Sequence, residues 1–443
     1  MFDVIIVGAG YVGLTLGIIA AESGHKVCLV ETDDSRLETI KQGKSHFYEL
    51  DINSRISDLI KRGTLSAYKS LPQALTACHG QKDIPRIFII TLGTPFSDSE
   101  DKSFASIASV VREVAEIVRE WDLVILRSTV KIGTTRRLTS EFKSIKNIAF
   151  CPERTVEGEA LKELRELPQI IGYSSVQAKI FAEKFFLSFC PSVIFVSNHE
   201  TAEAVKLISN TFRDLNFAFA NAIALLGKEH KFSGIEAINA ANKSYSRTNV
   251  PIPGPVGGPC LEKDPLILCS SSTNRDIFQF VKMARTLNRE LVTKVLLDWM
   301  KQVRTEFIFD TVIICGLAFK GKPLTNDTRG SLTTDVVSFF NNMRHDSKRV
   351  IGIDPLVKKL EGLEEIYTHP SHIPNLGPCI VIICTNHAMF YDKSFAQFLM
   401  QVKSPILSYW EFPKIDVELH RLSYSLSEGS SRDIIETEVA RQN

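Results

Sequence analysis

The strongest constraint on the fold is seven residues long. Val7-Gly8-Ala9-Gly10-Tyr11-Val12-Gly13 places G-x-G-x-x-G between a short apolar run, Phe2 to Val7, and a helical pattern, Tyr11 to Ser23. Gly8 permits the tight turn, Gly10 lets the backbone approach a ligand closely, and Gly13 lets the helix pack on the strand. The helix N-terminus adds free N–H groups and a positive dipole end, which favour phosphate. A second apolar strand, Lys26 to Val30, leads to Glu31, 23 residues after Gly8. An acid there accepts both ribose hydroxyls and repels a 2′-phosphate, so the spacing points to NAD rather than NADP. The bland alternative is that the glycines serve packing alone.

The alternation continues. Arg36 to Gln42 reads as a helix, Arg86 to Thr91 and Leu123 to Leu126 as buried strands, and Phe104 to Arg119 as a helix between them. Weaker strands near Asn147 to Phe150 and Val193 to Val196 carry the unit to about residue 198. Strands alternating with helices imply a parallel sheet with crossover helices. Thr201 to His230 is then helical, without Pro. Arg275 to Arg304 predicts a second long helix, its apolar stripe running through Ile277, Phe280, Val281, Ala284, Leu287, Leu291, Val295, Trp299 and Val303. Between them, Asn249 to Pro265 is too rich in Gly and Pro for a regular element. From Asp310 strands and helices alternate again: Thr311 to Cys315, Leu332 to Asn342, Arg349 to Ile353, Cys379 to Cys384. The expected fold is α/β: two doubly wound Rossmann-like domains joined by a helical central domain with a long connecting helix. Its boundaries fall at 1–198, 199–304 and 305–443.

Composition narrows the function classes. A formal charge of +1 over 443 residues gives no support for a phosphate-backbone binder, so no nucleic-acid partner is expected. Val4 to Ala21 is nearly all apolar, but it follows Asp3, lacks a basic flank and is interrupted by glycines. It reads as strand, turn and helix rather than as a membrane segment, and a cytoplasmic protein is expected. Nine Cys, an odd number with no C-x-x-C pair, argue against a disulfide framework and for reduced thiols. No Cys/His grouping has zinc-ligand spacing, so no metal is expected; His369 and His372 sit three apart in a Pro-flanked loop.

Chemistry-bearing residues concentrate in a few places. Cys260 lies among Pro253, Gly254, Pro255, Gly257, Gly258 and Pro259, with Lys263 and Asp264 close behind. A cation raises thiolate character and a carboxylate can activate water, although a free thiol is often merely buried. Lys206 and Asn210, four apart, share one helix face and suit an oxyanion, or else form a solvated face. Glu153 and Glu157 in CPERTVEG, Thr94 and Thr129 all follow strand-like runs. Ligands of open α/β sheets bind at those strand ends.

Taken together, the chain resembles the UDP-sugar / GDP-mannose dehydrogenase family from about residue 2 to about 415. The matching segments are VIIVGAGYVG (4–13), TLGTP (91–95), STVKIGTT (128–135), CPERTVEG (151–158), AEAVKLISNTFRDLNFAFANAIA (202–224), GPVGGPCLEKDP (254–265) and GLAFKGKPLTNDTRGS (316–331). The resemblance implies that Gly8, Gly10, Tyr11, Val12, Gly13 and Glu31 bind NAD, with Thr94, Thr129 and Glu157 lining the path to its nicotinamide. It implies Cys260 as nucleophile, Lys206 and Asn210 as holders of the substrate oxygen, Asp264 as the water-activating group and Glu153 in acid/base steps. Gly257, Phe319 and Lys320 are expected at the sugar nucleotide, and Arg329 near the cofactor or the inter-domain seam. Arg247 matches an arginine that members supply across a homodimer interface to the partner's site.

The implied reaction is a four-electron oxidation of a UDP-sugar primary alcohol to a carboxylate, with two NAD in succession and a Cys260 thiohemiacetal and thioester between. The Cys loop and the PERTVEG loop look more like members that oxidise UDP-N-acetylhexosamines than like glucose-specific ones. Pro259 replaces a common His, and Glu31 a more usual Asp. The alternatives are UDP-glucose as substrate, a two-electron β-hydroxyacid-type dehydrogenase, and a non-catalytic nucleotide-sugar sensor.

Overall fold

Val, Ile and Leu crowd the strand runs because parallel strands are covered on both faces. The computed structural model describes residues 2–77, 84–94, 101–274, 276–342, 349–374, 376–411, 422–426 and 429–430. The chain forms two compact units, one of residues 1–210 and 266–275, the other of 211–265 and 276–443.

The first unit carries strands β1 (Asp3–Val7), β2 (Lys26–Val30), β3 (Leu65–Tyr68), β4 (Arg86–Ile90), β5 (Leu123–Leu126), β6 (Ile148–Phe150), β7 (Gln169–Tyr173) and β8 (Val193–Val196). They lie in the order β3-β2-β1-β4-β5-β6-β7-β8, parallel except for the β6–β7 pair. Between them run α1 (Tyr11–Glu22), α2 (Asp34–Lys41), α3 (Ile52–Lys61), α4 (Leu71–Ala77), α5 (Asp101–Ala115), α6 (Thr134–Glu141), α7 (Ala160–Glu166) and α8 (Val176–Phe186). Alternate residues of each strand feed opposite cores: Val4 and Ile6 pack on one face, Ile5 and Val7 on the other. The chain changes winding direction between β1 and β4, the switch point where such sheets open a ligand crevice. Asp33 caps α2 by accepting from Arg36 N, and Ser175 caps α8.

Helix α9 (His199–His230) runs past the division between the units and is followed by α10 (Gly234–Asn242), α11 (Asp264–Ser270) and α12 (Gln279–Glu306). The second unit then repeats the doubly wound plan with β9 (Thr311–Cys315), α13 (Thr333–Asn342), β10 (Arg349–Ile353), β11 (Glu365–Tyr367), β12 (Cys379–Ile383), α14 (Lys393–Val402), β13 (Ile406–Ser408), β14 (Tyr424–Ser425) and β15 (Gly429–Ser430). Its order is β11-β10-β9-β12-β13-β14-β15, parallel up to the closing β14–β15 pair.

Two expectations need correction. The stripe expected on α12 includes Ile277 and Phe280, which are exposed, and omits Arg285 and Asn288, which are buried at helical spacing between Val281 and Val292. Cys28 in β2 is disulfide-bonded. An odd cysteine count argues against a closed framework, but it leaves room for a single bridge. Cys151, Cys190, Cys260, Cys269, Cys315, Cys379 and Cys384 are not disulfide-bonded.

Candidate active site

In the first unit the glycine turn is built as the spacing demands. Gly8 adopts φ +99°, and a Cβ on Gly13 would lie 1.9 Å from the Gly8 carbonyl oxygen, so only glycine lets α1 pack there. A Cβ on Gly10 would meet nothing within 4 Å; that side of the turn is open. The N-terminus of α1 has no side-chain cap and no acid in its first turn, which leaves its N–H groups available to a pyrophosphate. Glu31 follows β2, and its Oε1 accepts from Asp33 N at 2.9 Å. These residues fit a dinucleotide. Val12 and Gly13 open α1 beside them.

The side chain of Tyr11 is occupied within the fold. Its hydroxyl donates to Glu49 Oε2 at 2.5 Å and accepts from Gly158 N at 2.9 Å, next to Glu157. The first helical turn is thereby tied to the acidic loop. Thr94 and Thr129, at the C-terminal ends of β4 and β5, are joined by Thr94 Oγ1 donating to the Thr129 carbonyl at 2.6 Å. Thr91 Oγ1 in turn donates to the Gly8 carbonyl at 2.7 Å.

Lys206 and Asn210 do not form a solvated face; they are 8% and 6% exposed. Glu153 feels the Lys206 charge and pairs with Arg127, whose Nη2 lies 2.5 Å from Oε2. Its other oxygen accepts from Arg154 N and Thr155 N. Burial opposes ionisation of Glu153, but Arg127, these N–H groups and Lys206 outweigh it and hold the carboxyl below its ordinary range. Glu203, one turn before Lys206, caps α6 from the side. It accepts from Gly133 N, Thr135 N and Thr135 Oγ1 at 2.6–2.8 Å.

In the second unit the Gly/Pro loop presents Cys260. Cys260 is exposed, whereas the other described thiols outside disulfides are buried. Burial pushes the Cys151 and Cys384 thiols up to about 12 and raises those of Cys190, Cys315 and Cys379, which makes them poor nucleophiles. Asp264 is fully buried; it opens α11, its N–H donates to the Cys260 carbonyl, and its carboxylate pairs with Lys263 at 2.9 Å. Gly258 has φ +94°, and a Cβ there would strike the Phe319 ring; a Cβ on Gly257 would meet the Gly330 carbonyl oxygen at 2.2 Å. The Cys loop therefore packs directly on residues 319–330. Lys320 Nζ lies over the Phe319 ring, Arg329 forks onto Asp327, and exposed Arg247 stacks on Tyr245.

Asp354, after β10, occupies the place Glu31 holds after β2. Its carboxylate is taken by Leu317 N, Leu356 N and Val357 N. The turn after β9 thus directs a backbone N–H, that of Leu317, at the chain's own acid. Among the described residues no group of three or more His, Cys, Asp or Glu is placed for a metal ion, and no helix is long and apolar enough to cross a membrane. His369 Nε2 faces Ser394 Oγ at 3.0 Å.

Sequence reading missed the polar residues that support these loops: Arg127, Glu203, Asp214, Asn221, Arg285 and Asn288, all buried. The available signal was polar residues at the helical spacing of buried positions on α9 and α12.

The family model described as "UDP-glucose/GDP-mannose dehydrogenase family, NAD binding domain" matches residues 2–190, and that of the same family's central domain matches residues 200–290. Over 415 residues the chain is 31% identical to the UDP-N-acetyl-D-mannosamine dehydrogenase of Pyrococcus horikoshii, covering 91% of this chain and 93% of that one. The chain belongs to the UDP-glucose/GDP-mannose dehydrogenase family. It is 28% identical to the NDP-N-acetyl-D-galactosaminuronic acid dehydrogenase of Ralstonia nicotianae, over 87% of this chain and 90% of that one. The solved UDP-D-ManNAc dehydrogenase of Pyrococcus horikoshii aligns with TM-score 0.80 and 28% identity, covering 96% of this chain and 99% of that one. As a UDP-glucose/GDP-mannose dehydrogenase family member the chain is an NAD-dependent UDP-sugar dehydrogenase, and NAD is its cofactor.

Proposed function

We propose that the enzyme is a UDP-N-acetylhexosamine 6-dehydrogenase that oxidises UDP-N-acetylmannosamine or an epimer to the uronic acid through a covalent adduct on Cys260. The observation that carries this reading is the exposure of Cys260 on a tightly packed loop while the other described thiols outside disulfides are buried. The relatives named for N-acetylated sugars support the substrate class.

When bound, NAD supplies the hydride acceptor at each of two oxidations; Gly8, Gly10, Gly13 and Glu31 hold it, with Thr94, Thr129 and Glu157 toward its nicotinamide end. The chain's own residues do the rest. The Cys260 thiolate adds to the carbonyl carbon of the aldehyde to give a thiohemiacetal, which is oxidised to a thioester. Water attacks the thioester carbon, the carbon–sulfur bond breaks, and the thiolate returns; buried Asp264 takes the proton from that water. Lys206 and Asn210 donate to the substrate oxygen as it gains negative charge, where fixed donors count most. The alcohol proton leaves by one of two routes: to Glu153 through a water, since both of its oxygens already accept from Arg127, Arg154 and Thr155, or to Lys206 once that amine has given up its own proton. Gly257, Phe319 and Lys320 line the route to the sugar nucleotide, and Arg329 lies toward the cofactor. In the same reading two chains pair in the cytoplasm, Arg247 of each reaching the other's site.

The test is NADH release across UDP-glucose and the UDP-N-acetyl derivatives of glucosamine, galactosamine and mannosamine, with mass spectrometry of the sugar product. Two NADH per sugar and strongest turnover on an N-acetylated substrate are expected, with severe loss of acid from Cys260→Ala and Cys260→Ser. One NADH per sugar, or normal acid formation by Cys260→Ala, overturns the reading.

A further inference from the structure

The loop that carries Cys260 is gripped from beneath by two side chains of the long helices. Asn221 of α9 holds Gly254 by both backbone groups: Oδ1 accepts from Gly254 N at 2.8 Å, and Nδ2 donates to Gly254 O at 3.1 Å. Arg285 of α12 holds the loop on both sides of the cysteine. Its Nη2 donates to Val256 O at 2.8 Å and its Nη1 to Leu261 O at 3.2 Å. The guanidinium charge is matched by Asp214 Oδ1 at 2.5 Å. Asn288 Nδ2 fixes Asp214 by donating to its carboxylate and its carbonyl at 2.8 and 2.9 Å, and Asn221 Nδ2 also reaches Asn288 Oδ1 at 3.0 Å. The four polar side chains are all buried.

Stability alone is a weak reason for such a cluster. A buried ion pair contributes little net stability compared with apolar residues of the same volume, because desolvation offsets the attraction. Geometry is a better reason. A planar guanidinium can serve a carboxylate and two carbonyls at once, which the point charge of Lys cannot. Its two loop contacts bracket Cys260, four residues before and one after.

We propose that Arg285 and Asn221 are positioning residues for Cys260: they fix the backbone on either side of the nucleophile so that its thiol is presented in one place. This rests on the reading of Cys260 as nucleophile. A misplacement of about 1 Å at a reacting group costs about 10²-fold in rate.

The experiment uses the full chain with Arg285→Lys and Asn221→Ala, each alone and in a Cys260→Ala background. Hydrogen exchange by mass spectrometry reports the loop without needing either substrate. In Arg285→Lys, exchange at 254–261 should rise while both sheets stay as in the parent, kcat for acid formation should fall about 10²-fold, and KM values should stay within about threefold. In the Cys260→Ala background the same substitution should leave the residual rate of the first oxidation unchanged, because a residue acting through Cys260 has nothing left to act on. Unchanged loop exchange, a loosened loop with parental kcat, or a full additive loss in the double variant overturns the proposal. If Arg285→Lys does not fold, Asn221→Ala, which leaves the ion pair alone, is read by the same criteria. Unfolding of both overturns it, since the residues then serve the fold. If Cys260→Ala makes acid normally, the proposed reaction fails, whereas the exchange data still report whether the clamp exists.

Discussion

Arg127 and Glu153 form a buried ion pair, with Nη2 2.5 Å from Oε2 and Nε 3.1 Å from the same oxygen. Arg127 follows β5 and Glu153 follows β6, so the pair joins two neighbouring strand ends at the edge where ligands bind. Nη1 also donates to Cys151 O and Gln169 Oε1 at 3.0 and 2.8 Å. Arg127→Met strands a buried carboxylate, and the expected loss is about 3–5 kcal/mol of unfolding free energy. Glu153 is held below its ordinary range, so its contribution is present above the unfolded carboxylate value and is lost as pH falls through the folded one. Urea denaturation from pH 7 to pH 3 should show a shallower acid limb in Glu153→Gln than in the parent. An equal limb would mean that the pair does not govern acid stability.

His25 sets a second pH window. It is buried, its Nδ1 accepts from Phe2 N at 3.1 Å, and its Nε2 meets Ser188 Oγ at 2.9 Å. Burial lowers its pKa to about 4 from an ordinary 6.5. The folded state prefers neutral His25, so the unfolded chain binds more protons between those values and stability falls as pH drops through them. The gap corresponds to about 3 kcal/mol by pH 4, at roughly 1.4 kcal/mol per pH unit. The difference in urea midpoint between the parent and His25→Gln should shrink steadily from pH 7 to pH 4; a constant difference would remove His25 as the cause.

The elements that sequence reading placed well are those with one dominant signal. The runs at 26–30, 123–126, 311–315 and 349–353 coincide with strands because parallel strands covered on both faces are largely apolar; 193–196 is the edge strand β8, only partly buried, and shows the same apolar run. The helices drew on a periodicity that polar residues can also satisfy. On α9 the buried positions include Glu203, Lys206, Asn210, Asp214 and Asn221, while Ile208, Phe212 and Phe219 are exposed. An apolar count therefore points to the wrong face. What distinguishes that face is hydrogen bonding to segments distant in sequence, Gly133 for Glu203 and Gly254 for Asn221. Cys260 stands out because a thiol within a Gly/Pro loop is unusual; Arg285 does not, because two of its partners are carbonyls that any residue supplies and the third, Asp214, lies 71 residues away in sequence.

Glu31 bears on cofactor choice. It is buried at the end of β2 and anchored by Asp33 N, so its carboxylate is held in place rather than free to swing away from a 2′-phosphate. The parent should prefer NAD. Glu31→Ser should lower the ratio of kcat/KM for NAD over NADP by about tenfold or more, equivalent to about 1.4 kcal/mol. Steady-state kinetics with both dinucleotides decide this, and better kinetics of the parent with NADP would show that Glu31 does not face the ribose.

Gly10 and Gly13 separate ligand binding from packing within one motif. A methyl on Gly10 meets open space, and its backbone, at φ −67° and ψ −166°, suits alanine. Gly10→Ala should therefore melt within a few degrees of the parent yet bind NAD about tenfold or more weakly, because the methyl occupies the approach of the pyrophosphate. A methyl on Gly13 would sit 1.9 Å from the Gly8 carbonyl oxygen and 2.7 Å from Thr91 Oγ1, which forces α1 away from β1. Gly13→Ala should lose about 1–3 kcal/mol or more to overpacking before any cofactor is added. Thermal melting without NAD and titration calorimetry with it measure the two effects independently. If Gly10→Ala binds NAD as the parent does, the dinucleotide does not lie across this turn, and the glycines are there for the packing of α1 alone.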